Sequence, residues 1–221
     1  MKTIAVILCG SGFKDGSEIR ESVGVFWALS QHAVQVRCFA PNTPQTDVVN
    51  CLTGKTVLGE NRNMLVEAAR IARGEIQPLS ALDTSRVDGV IIPGGFGVAK
   101  NLCTFAKEGS KGSVDPTLKK ILEALYAEKK PIGAVCIAPA LLALTFPGRK
   151  FELTVGGTCE VSQEIERLGH RHVVCSANDC VVDASHRVVS TPAYMDDQAP
   201  LHEIFAGIQK LSGEVVKMAV G

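Results

Sequence analysis

The chain has 221 residues, 46% of them hydrophobic and 21% charged, with 23 basic side chains balanced by 23 acidic ones. One domain of that length buries roughly 70% of the surface its unfolded chain exposes, and this composition excludes a disordered tail or a polyelectrolyte. It also provides no net basic footprint for nucleic acid or for an anionic membrane, so neither is expected as a partner.

Lys2 to Gly10 begins with an apolar run that is too short for the core of a secretion signal and reads as a buried strand from Thr3 to Cys9. No stretch approaches the ~20 apolar residues of a membrane helix. After this strand, Gly10-Ser11-Gly12 lacks the third glycine of a dinucleotide fingerprint, which argues against a nicotinamide or flavin cofactor. Asp15 and Glu18 stand at capping-box spacing before a helix predicted over Ile19 to Gln31. A second strand is predicted over Val34 to Ala40, and a helix from Glu60 to Arg73 that stops at a left-handed Gly74.

The run from Val87 to Ile92 is a third strand, closed by the glycine-rich loop Pro93-Gly94-Gly95-Phe96-Gly97. Asp115 and Pro116 open a helix whose buried stripe is Leu118, Ile121, Leu122 and Leu125. Pro131 to Cys136 is a fourth strand and runs directly into a helix at Ile137. The last third holds a strand over Leu153 to Val155, a helix near Val161 to Leu168, a hairpin of Cys180 to Asp183 with Arg187 to Thr191, and an amphipathic helix from about Pro200 to Met218. Alternating strands and helices predict a single α/β domain over residues 1 to 221, with a mostly parallel sheet covered on both faces.

In such a sheet, chemistry gathers beyond the carboxyl ends of the strands. Cys136 lies there, at a strand-to-helix junction with Ala134 and Ala138 two residues to either side, the small neighbours a nucleophile elbow needs. A thiol at a helix start feels the positive end of the dipole, which favours thiolate. The same position suits a buried core cysteine. The amides of Gly94 and Gly95, with that of Ile137, could hold an oxyanion, and Glu18 and Glu21 share one helix face. The eight cysteines contain no CxxC pair, which argues against structural zinc and predicts free thiols in a reducing, cytoplasmic setting. Surface positions are expected for the five histidines. His170 and His172 could form a metal pair on a strand, but no third ligand is evident, so no metal is expected.

Taken together, Ile7 to Gly12, Asp15 to Ile19, Arg62-Asn63, Ala69 to Gly74, Pro93 to Leu102, Cys136 to Pro139 and Thr191 to Met195 resemble the ThiJ/PfpI superfamily, whose domain is that of class I glutamine amidotransferases. The likeness is strongest to its ElbB-type subgroup, the isoprenoid-biosynthesis-associated or glyoxalase proteins, and spans essentially the whole chain. The resemblance implies a flavodoxin-like three-layer sandwich, Cys136 as elbow nucleophile, Glu21 as the helix glutamate bonded to the thiol, and Gly94-Gly95 as the oxyanion loop. It also implies a homodimer that needs no cofactor and converts small aldehydes or glyoxal-type dicarbonyls to 2-hydroxy acids without glutathione. Where many relatives carry a histidine, this chain reads Thr154-Val155-Gly156-Gly157-Thr158. That departure motivates the alternative of a non-catalytic, redox-responsive or partner-binding protein that uses an oxidisable Cys136.

Overall fold

The computed structural model describes residues 1–221. In chain order the elements are β1 (Lys2–Ile7), α1 (Ile19–Leu29), β2 (Val34–Ala40), β3 (Val49–Asn50), β4 (Lys55–Thr56), α2 (Met64–Ile71), β5 (Ile76–Pro78), β6 (Gly89–Ile92), α3 (Phe105–Glu108) and α4 (Pro116–Ala127). They continue as β7 (Ile132–Val135), α5 (Ala138–Thr145), β8 (Glu152–Leu153), α6 (Glu160–Arg167), β9 (Arg171–His172), β10 (Val181–Asp183), β11 (Val188–Thr191) and α7 (Leu201–Val220).

Seven strands form one sheet in the order β10-β11-β7-β6-β1-β2-β5. All neighbours are parallel except β10 and β11, the hairpin expected from the sequence. Successive residues of β1 point to opposite faces, as strand geometry requires. Ala5 and Ile7 enter the core beneath α3, α4, α5 and α6, whereas Ile4 and Val6 enter the core beneath α1, α2 and α7. Since β1, β6 and β7 are covered on both faces, they read as unbroken apolar runs. The chain winds from β1 outward to β2 and β5, then returns to place β6 on the other side of β1. The loops that follow β1 and β6 therefore face each other across a crevice, with the end of β7 beside them.

Several elements differ from the sequence expectation. Asp15 does not cap α1. It is buried, and its Oδ2 accepts the Val49 N–H at 2.8 Å. The cap is Glu18, whose carboxylate accepts the Glu21 N–H at 2.6 Å. Helix α2 starts at Met64 rather than Glu60, because Asn63 Oδ1 accepts the Val66 N–H while the Arg62 carbonyl is taken by Gln45 N–H. It ends at Ile71 rather than Arg73, which is itself left-handed, while Gly74 is left-handed as expected and donates to the Ala69 carbonyl at 2.9 Å. The strand expected over Leu153 to Val155 is Glu152–Leu153, paired with β9 outside the main sheet, because Thr154 N–H turns away to Ser190 Oγ at 2.9 Å. His170 is not on the surface. At 6% exposure its ring packs on Phe151, Nδ1 accepts the Phe151 N–H and Nε2 faces the Ala143 carbonyl. Both nitrogens are thus committed to the backbone, and His170 cannot form a metal pair with His172.

Candidate active site

Three segments far apart in sequence meet at the crevice. From α1, the buried stripe Glu21, Val25, Ala28 turns inward at helical spacing, so Glu21 has 0% exposure although it lies in the first turn. From the loop after β6, Gly94 N–H donates to Glu21 Oε2 at 2.9 Å, and the Gly94 carbonyl accepts the Glu18 N–H at 2.9 Å. Gly95 follows at φ +100, with its Cα so close to the Gly16 carbonyl that a Cβ would lie 2.4 Å from it. Only glycine fits both requirements.

The third segment is the β7–α5 junction. Cys136 adopts φ +61, a left-handed conformation that is uncommon for a residue with a side chain and is typical of an elbow held by its surroundings. Its N–H donates to the Thr191 carbonyl at 2.9 Å, which ties the elbow to β11. The wholly buried α5 begins at Ala138 with Pro139 in its first turn. Glu21 Oε2 and Cys136 Cβ both lie within 3 Å of the point where a Cβ on Gly94 would stand, so the carboxyl adjoins the thiol, and the Gly95 and Ile137 amides lie close enough to act on it electrostatically.

The electrostatics of the pair reverse one expectation. Burial, followed by the charge of Glu21, holds the Cys136 thiol well above its ordinary value of 9.0, against the smaller opposing effect of the Gly95 and Ile137 amides. The resting side chain is thus a thiol. Facing a carboxylate in a dry site outweighs the helix dipole that would favour thiolate. Burial also raises Glu21, helped by the charge of Glu18, from 4.5 to about 8, although amides of Tyr194 and Gly94 donate to it. The first proton therefore leaves the pair from Glu21, and the thiol loses its own far above that.

The Glu18 carboxylate caps α1, and it acts on the site through its charge on Glu21. Sequence reasoning missed Tyr194. The Tyr194 N–H donates to Glu21 Oε1 at 3.2 Å, and the phenol accepts from Arg20 Nη1 at 2.9 Å. A backbone donor leaves no trace in residue type. The only available signal was the Thr191-Pro192-Ala193-Tyr194-Met195 motif. In place of the histidine of many relatives, Thr154 Oγ1 accepts the Gly156 N–H at 3.0 Å and closes a local turn. No cluster of three or more histidine, cysteine or acidic side chains could hold a metal ion.

A carboxyl that keeps its proton to about 8 when folded, against 4.5 in the open chain, withdraws stability as pH rises through that window, because the unfolded state has already released the proton. Glu21→Gln is expected to remove this slope. From pH 4.5 to about 8 the wild type should lose a few kcal/mol more than the variant, on the order set by the shift, in urea titrations at a series of pH values.

No family profile matches the chain. The human mitochondrial glutamine amidotransferase-like class 1 domain-containing protein 3 is 39% identical over 224 residues, spanning 97% of this chain and 82% of that protein. The rat ES1 protein homolog, mitochondrial, is 38% identical, spanning 97% and 83%. The chain belongs to the ES1 family of glutamine amidotransferase-like class 1 domain proteins. The ES1-type architecture also matches a crystal structure from Ehrlichia chaffeensis, an isoprenoid biosynthesis protein with an amidotransferase-like domain, at a TM-score of 0.91, with 39% identity and 99% of each chain covered. Drosophila melanogaster DJ-1beta shares the fold alone, with a TM-score of 0.55, 18% identity, and 100% and 96% of the two chains covered. The fold is the one that the ThiJ/PfpI resemblance implied, and the class I glutamine amidotransferase-like domain it implied is the one named in the human relative. The cytoplasmic setting expected from free thiols is corrected: the rat, human and zebrafish ES1-type relatives are all named mitochondrial. Reduced cysteines do not distinguish one reducing compartment from another, so thiol content carried less information than it was given.

Proposed function

We propose that the protein is a cysteine-dependent, glutathione-independent glyoxalase-like enzyme that converts glyoxal-type dicarbonyls to 2-hydroxy acids. The observation that carries this reading is the shared site of Cys136 and Glu21, a nucleophile and a proton carrier poised near neutral pH, with two amides at the sulfur.

For glyoxal, the sulfur of Cys136 attacks one aldehyde carbon while its proton passes to ionised Glu21. The S–C bond forms, the carbonyl electron pair moves to oxygen beside the Gly95 and Ile137 amides, and Glu21 returns the proton to that oxygen. Glu21 then removes the hydrogen from the sulfur-bearing carbon as a proton, giving an enediolate whose negative charge lies on the second oxygen, and delivers that proton to the neighbouring carbon. The first hydroxyl's proton passes to the second oxygen, leaving a glycolyl thioester. Water cleaves this to glycolate and regenerates the thiol. One carbon is oxidised and its neighbour reduced, so no external oxidant or reductant enters. The rate should rise with pH as Glu21 ionises and level off above about 8. The protonated resting thiol weighs against the redox-sensor alternative, because thiolate is the species that peroxide oxidises.

The test is formation of glycolate from glyoxal by the wild-type protein with no glutathione present, before and after one equivalent of iodoacetamide mapped to its peptide. Turnover that stops when Cys136 is capped supports the reading. No glycolate, or turnover that survives the capping, refutes it.

A further inference from the structure

A cleft of ≈ 580 Å³ begins at Phe96 and Ile137, the residues directly after Gly95 and Cys136, and runs outward over α3 and α6. Its apolar lining comes from Phe96, Phe105, Ile137 and Val161. Its outer rim is ionic. Glu164 is already engaged there by Arg167 and by the Ser110 N–H. Lys107, Lys111 and Glu160 line the rim with no ion-pair partner in the molecule. The turn that carries Lys111 is fixed: Ser110 N–H donates to Glu164 Oε2 at 2.7 Å, and Gly109 lies against the same carboxylate.

Glyoxal has four heavy atoms and needs roughly 120 Å³ at the ~30 Å³ of a water-sized unit, whereas clefts of several hundred Å³ suit ligands several times larger. Phe96 is 54% exposed, a large apolar side chain left open at the mouth of a cleft. We propose that this cleft binds the body of the substrate, and that the substrate is a dicarbonyl with an apolar arm longer than glyoxal's two carbons and a polar or ionic far end. The inference rests on the reading of Cys136 as nucleophile. The apolar floor takes the arm next to the reacting carbon, and the unpaired rim charges meet the far end where water still reaches them.

Ala106 lines the cleft from α3 and is itself exposed, so Ala106→Trp fills the space without disturbing the core. The comparison is of glyoxal and phenylglyoxal on wild type and variant, which cancels the intrinsic reactivity of the two aldehydes. Expected is a kcat/KM for phenylglyoxal at least about tenfold above that for glyoxal in the wild type, with the ratio of the two falling to about one in Ala106→Trp. Equal rates on both, or a preference that survives the tryptophan, overturn the proposal. Should neither aldehyde be turned over, the nucleophile reading fails and the cleft is judged by calorimetric titration of Cys136→Ser protein with mandelate and glycolate. Mandelate binding at least about tenfold tighter, and lost on adding Ala106→Trp, supports the cleft as a site for apolar arms. Equally weak binding of both acids overturns it.

Discussion

Cys136→Ser is expected to lower glycolate formation from glyoxal by at least about a thousandfold. The sulfur is the more polarisable nucleophile, and its proton can pass to a carboxylate whose own value is about 8. A serine hydroxyl at the same place is far less acidic, so the same carboxylate cannot draw its proton off as the bond to carbon forms. The change is small in volume, and the amides at the position remain, so the thermal midpoint should move by only a few degrees. Product assays and thermal melts on the same preparation separate loss of chemistry from loss of fold. A serine variant with wild-type turnover would falsify the assignment of Cys136.

Gly94→Ala should have a large effect on the fold, because the added methyl has no room at the site. A Cβ there would lie 2.4 Å from Cys136 Cβ, 2.6 Å from Glu21 Oε2 and 2.9 Å from the Val135 carbonyl. Two of these neighbours are backbone or directly attached to it, and the third is a buried carboxyl held by the Gly94 and Tyr194 amides. None can step aside by rotating a flexible end. Relief requires the loop to shift, which breaks the Gly94 bonds to Glu21 and Glu18. Overpacking of a dry site costs about 1–3 kcal/mol, and leaving a buried partner unsatisfied adds a similar amount. A total of about 3–5 kcal/mol is expected in denaturant titration, enough to bring a marginal domain near unfolding. A loss under about 1 kcal/mol would mean that the loop is far more pliable than its contacts imply.

Most of the sheet was legible in sequence because burial on both faces writes β1, β6 and β7 as continuous apolar runs. Helix α4 was equally plain, since Asp115 and Pro116 open it and its four buried positions repeat at helical spacing. The edges were not. β5 is three residues of which only Ile76 is plainly apolar, and the β3–β4 hairpin pairs two residues on each side, too short for any periodicity to show. Asp15 misled because a carboxylate three residues before another looks like a cap, whereas the loop it braces comes from residues 34 positions away. In the site, Cys136 could be placed from its small neighbours and its junction, and the residues already favoured a capping role for Glu18; that Glu21 faces the thiol came from family likeness, and the structure explains both, since one turned inward at the third helical position and the other stayed behind as its cap. The protonated state of the thiol depended on distances no sequence carries.

The acid that faces the sulfur is held by donors lying 73 and 173 residues further along the chain. A polypeptide still emerging from the ribosome has Cys136 in hand before Tyr194 exists, so during synthesis the sulfhydryl has ordinary acidity and ordinary vulnerability to electrophiles. Burial in the finished fold, beside a carboxyl that those two distant donors hold, is what raises it, so the sulfur takes on its protonated character only once segments from both halves of the chain have met.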